Sequence, residues 1–306
     1  MRQFCVISTV SGRDVGEDAP LDRVRLERDS GDEGEAMSRF GDATAVQKAG
    51  DGRYLADLDG AFGFGEALNG GYLMAVMLRA AVDASPHEHP VATGANFLKV
   101  AKAGPAEVVV EPRRAGRTAA SSRVTLLQAG QPVIDMQVTT GTLDPAAEPV
   151  WSGTVTRRLP PVGECTSFES RKDEERGFAD RVDMRFDPAV MGWLDGKPTG
   201  TLEGAAYFRL RPHEDEDQYA PDAYLLALAV DCLPPVVLNT GASGWAPTVE
   251  LTWHMRAVPV PGWLEVHGSG RLVSDGWFDE EVEIWDSAGR LVAQSRQLAR
   301  SGHVKK

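Results

Sequence analysis

The chain has 306 residues, 42% hydrophobic and 25% charged, which is ordinary for a globular protein of one large or two medium domains. A net charge of −13 leaves no surplus of Lys or Arg to neutralise phosphates, which argues against nucleic acid or an anionic membrane as partner. Three scattered cysteines form no CxxC pair, and no apolar run reaches the ~20 residues of a membrane helix, so neither a disulfide framework, a cysteine zinc site nor a membrane span is expected. The N-terminus does not have the form of a secretory signal, and the chain reads as cytoplasmic.

Residues 1–36 carry nine acids against five arginines and few large apolar residues after Val10, which predicts a disordered extension. Met37 opens the globular sequence and is a candidate natural start. Two short strands are expected over Thr44–Lys48 and Arg53–Leu58 across a Gly50-Asp51-Gly52 turn. A Gly-rich loop ending in Asn69-Gly70-Gly71 then leads into an almost wholly apolar helix, Tyr72–Ala84, with Asn69 as its N-cap. Four strands follow, at Val91–Val100, Ala106–Arg113, Thr118–Gln128 and Pro132–Leu143, in an antiparallel meander.

Residues 144–178 are rich in Pro, Glu and Arg, and the linker is drawn at 149–178. Strands are expected at Ala179–Phe186 and Ala205–Arg211. A second apolar helix spans 223–233, started by Pro221-Asp222 and stopped by Pro234-Pro235. Near its end stands one acid, Asp231. A carboxylate there costs several kcal/mol unless it is paired, so it either caps a backbone or does chemistry. Four more strands close the chain: Pro247–Ala257, Trp263–Val273, Trp277–Trp285 and Arg290–Arg300.

The second half repeats the first. PVATGANFLKVAKAGPAEV (90–108) matches PTVELTWHMRAVPVPGWLEV (247–266), and AGQPVIDMQV (129–138) matches AGRLVAQSRQ (288–297). The chain is therefore a tandem duplication of one helix with a sheet of about five strands. The copies differ where it matters. Val91 and Val138 in the first stand opposite Thr248 and Gln297 in the second. An acid, a hydroxyl and a carboxamide on one frame suit water attack on an activated carbonyl, with oxyanion donors from a loop and helix N-terminus. This points to one competent site and one degenerate one.

The order apolar helix–Asp231–x–x–Pro234, Thr248 at the next strand's start, and Asp286-x-x-Gly289-x-Leu291-Val292-Ala293-x-x-x-Gln297 resembles the type II acyl-CoA thioesterases. Asn69-Gly70-Gly71-Tyr72, Phe97-Leu98-Lys99 and AGRTAASSRVTLLQAGQPV (115–133) fit the same pattern. The resemblance implies an α+β double hotdog, with one unit at 37–148 and the other at 179–306. It implies acyl-CoA as substrate, no cofactor or metal, and homo-oligomers of double-hotdog subunits. Asp231, Thr248 and Gln297 would hold the water, and Asn69, Gly70 and Gly71 would border the substrate channel.

The sequence also departs from that pattern. Glu250 and Leu251 stand where many members have Asp-His, and Thr93-Gly94-Ala95 stands where a His is usual. Glu250 and His254 are taken as substrate-binding, since His254 alternates in phase with Thr248, Glu250 and Thr252. Cys232 reads as a packing residue, and His87-Glu88-His89 lacks a third metal ligand. Two other functions remain open: a non-catalytic acyl-CoA-binding protein, and a hotdog hydratase, which would need an Asp–His pair absent here.

Overall fold

The computed structural model describes residues 39–154, 158–167, 177–212 and 219–304. The extension expected over 1–36 lies outside the described residues. A short helix α1 (Arg39–Thr44) leads into β1 (Gln47–Gly50) and β2 (Arg53–Leu58). Helix α2 (Gly70–Asp83) follows, then β3 (His89–Phe97), β4 (Gly104–Ala115), β5 (Ala119–Gln128) and β6 (Gln131–Gly141). The second half runs β7 (Val182–Phe186), β8 (Glu203–Leu210), α3 (Ala223–Ala229), β9 (Thr248–Met255), β10 (Leu264–Ser269), β11 (Trp277–Trp285) and β12 (Leu291–Arg300).

These twelve labelled strands join one sheet, in the order β1-β2-β4-β5-β6-β3-β9-β12-β11-β10-β8-β7. The two halves have the same order when read outward from the joint. That joint is an antiparallel pairing of β3 with β9, in which Gly94 faces Thr252 and Ala95 faces Leu251. Edge-to-edge pairing covers two strand edges that would otherwise be exposed. The chain is thus a tandem hotdog, with six labelled strands per half rather than about five.

The helices lie on the inner face of this sheet and pack against each other. Tyr72, Met74, Ala75, Val76, Met77 and Leu78 of α2 are fully buried, which explains why that helix is apolar all round. The closest approach is at Gly71, where an added Cβ would stand 2.5 Å from the Ala227 carbonyl oxygen. Only a residue without a side chain lets the start of α2 sit on the backbone of α3.

Three expectations need correction. The strand expected over Thr44–Lys48 begins at Gln47, and Thr44 instead ends α1. The helix expected over 223–233 ends at Ala229, with Val230 as its C-cap, so Asp231 lies just past the helix. The last turn tightens there, with the Asp231 N–H on the Leu228 carbonyl and the Cys232 N–H on the Ala229 carbonyl, and Pro234 bars any continuation. The strand expected from Ala179 begins at Val182, because Phe178–Arg181 forms a single helical turn.

Candidate active site

Asn69 anchors the site. Its backbone is extended and its Oδ1 accepts from the Tyr72 N–H at 2.9 Å, so it is the N-cap of α2. Its other amide atom reaches into the second half of the chain. Asn69 Nδ2 donates to the Asp231 carbonyl at 2.8 Å and to Asp231 Oδ2 at 3.1 Å. The Gly71 N–H donates to the same Oδ2 at 3.0 Å, and the Gly70 N–H also points to this carboxylate. The first turn of a helix leaves backbone N–H groups unpaired and carries partial positive charge, and here that charge faces an anion.

Asp231 is half-buried. Burial pushes its pKa up to about 6, and the Gly71 and Gly70 N–H groups hold it from rising further. The group is therefore ionised at neutral pH and more basic than an ordinary carboxylate. Asn69→Ala removes the cap and one donor to the anion. It is expected to cost about 1 kcal/mol of stability and to move the Asp231 titration upward, which a pH series of chemical denaturation and rate would read.

Thr248 and Gln297 are brought together. The Thr248 hydroxyl donates to Gln297 Oε1 at 2.7 Å. A β-bulge makes this contact possible. Thr248 registers with Ala299 and Glu250 with Leu298, so Val249 is an extra residue between them. Ala299 and Gln297 are buried on the inner face, while Leu298 is exposed on the outer one. The bulge puts Thr248 on the inner face with Gln297, and Glu250 on the other. This overturns the expected phase of Thr248 with Glu250 and His254. Glu250 accepts from the Thr252 hydroxyl at 2.6 Å, and His254 is exposed. Neither faces the Thr248–Gln297 pair.

Glu280 in β11 is a member of the site that sequence reasoning misses. It registers with Gln297 across the strand pair and is 2% exposed. Its Oε2 accepts from the Val236 N–H at 3.2 Å, and its carboxyl is hydrogen-bonded by the Gln297 carboxamide. Burial, with the negative charge of Asp231 as a lesser cause, pushes its pKa up to about 8 against the effect of those two donors. The sequence holds a clue to it. Phe278, Val282 and Ile284 alternate inward in Trp277–Trp285, and Glu280 falls in their phase.

Other candidates have structural explanations. Cys232 is buried, and burial raises its thiol pKa well above the usual range, which disfavours the thiolate. His87 Nε2 lies 2.9 Å from the Gly116 carbonyl, and His89 Nδ1 accepts from the Leu143 N–H at 3.1 Å. No cluster of His, Cys, Asp and Glu with metal-ligand geometry occurs among the described residues.

The duplicate corner is built differently. Matching the N-caps Asn69 and Asp222 sets Leu78 opposite Asp231, and the next residue, Arg79, lies at the start of α3. The Arg79 guanidinium lies 4.1 Å from the centre of the Tyr224 ring and donates to the Thr44 hydroxyl at 2.7 Å. Asp222 caps α3 by accepting from the Leu225 N–H at 2.7 Å, and Tyr219 donates to the same carboxylate. A cation and its neighbours fill the corner that mirrors the Asp231 site.

Comparison with known proteins agrees with this fold. Residues 58–141 match the family model of the acyl-CoA thioesterase N-terminal domain, and residues 162–301 match that of the C-terminal domain. An uncharacterised protein of Mycobacterium tuberculosis is 31% identical over 254 residues, covering 77% of this chain and 86% of the relative. The crystal structure of a candidate thioesterase II from Thermobifida fusca is similar at TM-score 0.81 and 43% identity, covering 87% of this chain and 98% of that one. A hotdog protein of unknown function from Alicyclobacillus acidocaldarius matches in fold at TM-score 0.73 and 22% identity, covering 88% and 99%. With both domain models matched in order on a single tandem-hotdog sheet, this chain belongs to the acyl-CoA thioesterase family.

Proposed function

We propose that this protein hydrolyses acyl-CoA thioesters to free acid and CoA, using a water held by Asp231, Thr248 and Gln297. The observation that carries the reading is the Asp231 carboxylate, seated on the N-terminus of α2 with its pKa pushed up to about 6. Such a group is ionised at pH 7 and can take a proton from water. Thr248 spends its hydroxyl hydrogen on Gln297, so its oxygen presents lone pairs to the same water.

One water hydrogen goes to Asp231 as the water oxygen attacks the thioester carbon. The carbonyl π electrons move to its oxygen, giving an oxyanion. Negative charge thereby leaves Asp231 and appears on the substrate. The Gly70 and Gly71 N–H groups, which held the carboxylate, become donors for the oxyanion. Collapse expels the thiolate, and Asp231 returns the proton to it. A thiol of pKa roughly 8.5 is a good enough leaving group that no covalent acyl-enzyme is needed.

The working form in this proposal is a cytoplasmic homo-oligomer of double-hotdog subunits. No helix among the described residues is long and apolar enough to cross a membrane. The test is thiol release from a panel of short, long and aromatic acyl-CoAs. Turnover that gives one free acid per thiol is expected. Saturable binding without turnover would overturn the reading in favour of a binding protein.

A further inference from the structure

Glu280 ties together two parts of the site that no other side chain connects among the contacts described above. On one side its Oε2 accepts from the Val236 N–H at 3.2 Å. Val236 belongs to the short connection that begins at Asp231, after the end of α3. On the other side Glu280 accepts from the carboxamide of Gln297, its cross-strand neighbour. The packing leaves little room to shift, since an added Cβ on Gly268 would lie 2.8 Å from Leu233 Cδ1 and 3.5 Å from Glu280 Oε1.

From this we infer that Glu280 is a positioning residue, which fixes which way the Gln297 amide points and so sets the hydrogen-bond polarity presented to the nucleophilic water. The inference rests on the reading of Asp231, Thr248 and Gln297 as the water site. Once ionised, the Glu280 carboxylate can only accept, and it holds the NH2 end of Gln297 toward itself and the Oε1 end toward Thr248. The Thr248 hydrogen is thereby committed to Gln297, and Thr248 meets the water as an acceptor. Asp231 also meets it as an acceptor. Both water hydrogens are then held by the protein, and the oxygen lone pairs stay free for attack.

Were the amide reversed, Gln297 would donate to Thr248. The hydroxyl hydrogen of Thr248 would then turn toward the water and occupy a lone pair needed for the reaction. Glu280 acts here without touching substrate. A chain of partly buried polar groups of this kind has one arrangement that satisfies every member.

The test uses the full-length protein and three variants: Glu280→Gln, Gln297→Glu and the exchange of both. Glu280→Gln has the same shape but can present an NH2 group to Gln297, which favours the reversed amide. Measured at about pH 9, above the Glu280 pKa of about 8, its kcat is expected to fall roughly 10- to 100-fold, with KM within about twofold of wild type and an unchanged cooperative melting transition. The exchange variant restores the polarity. Its carboxamide, now on β11, donates to the carboxylate now on β12, which still accepts from Thr248. It is expected to recover about tenfold or more of the kcat lost in Glu280→Gln.

Asp231→Asn is assayed alongside. A Glu280→Gln protein with wild-type kcat, beside an inactive Asp231→Asn, overturns the role of Glu280 alone. An exchange variant no faster than either single variant also overturns it, since packing and not polarity would then explain the loss. Wild type without turnover of any acyl-CoA overturns the water-site reading and this inference with it. If Glu280→Gln fails to fold, the exchange variant is compared with Gln297→Glu, and a higher kcat in the exchange is again the expected result.

Discussion

Asp231→Asn is expected to lower kcat for thioester hydrolysis by roughly 10³-fold, with KM within about twofold. The carboxamide keeps the shape and can still accept from the Gly71 N–H, but it cannot take a proton from water. In the wild type, kcat/KM should rise tenfold per pH unit below the Asp231 pKa of about 6. The variant should lose that limb of the profile. A stability measurement separates this loss from misfolding. The folded-state pKa is raised above the ordinary 3.8, so the folded protein binds the Asp231 proton more tightly than the unfolded chain does. Stability from this group is therefore fully present below that ordinary 3.8 and lost as pH rises through about 6. At pH 8 Asp231→Asn escapes that penalty and should be as stable as wild type or more so, by on the order of 1 kcal/mol. An inactive variant that melts higher is the expected pair of results. Equal turnover in variant and wild type would remove Asp231 from the mechanism.

Gly71→Ala tests the frame and not the chemistry. The new Cβ would stand 2.5 Å from the Ala227 carbonyl oxygen, 2.9 Å from that of Leu228 and 3.0 Å from the Leu228 Cα. All three are backbone atoms of α3, so no side chain can turn aside. The helices must separate, and the expected loss is about 3 kcal/mol or more, at the upper end for overpacking. That is a large share of the stability of a typical domain. The denaturant midpoint reads it, and a wild-type midpoint would show that α2 and α3 are not so closely seated. Gly70→Ala offers a contrast. Its Cβ would meet Asp231 Oδ2 and the Phe97 ring at 2.9 Å, which are side-chain atoms that can move. Activity should suffer there more than stability, because what moves is the carboxylate that the proposed mechanism uses as its base.

The sheet was readable where strands carry a two-residue period between turn residues, as Arg53–Leu58 and Trp277–Trp285 do. Both are found with the expected bounds. The duplication also predicted the matching strand order of the two halves. The site was less readable, for two physical reasons. The first is the bulge at Val249, one residue that shifts the phase of a strand. Alternation alone groups Thr248 with Glu250 and His254, while the ladder groups it with Gln297. The second is that contacts between distant segments leave no local trace. Asn69 reads in the sequence as a helix cap beside a substrate channel, and nothing local shows that its amide nitrogen holds Asp231, 162 residues away. Glu280 was hidden by composition, since Asp279-Glu280-Glu281 reads as a solvated acidic run unless the inward phase of Phe278 and Val282 is followed through it.

The Asp231 corner is assembled from both copies of the duplicated unit: Asn69, Gly70 and Gly71 from the first, and Asp231, Thr248, Gln297 and Glu280 from the second. In a dimer of identical single units, any mutation would appear at both symmetric corners at once. Covalent fusion lifts that restriction. Arg79, seated over Tyr224, shows what the freedom allows, with one corner given over to holding the helices together while the other keeps its carboxylate. Binding stoichiometry should record this history, with one acyl-CoA per chain and not two.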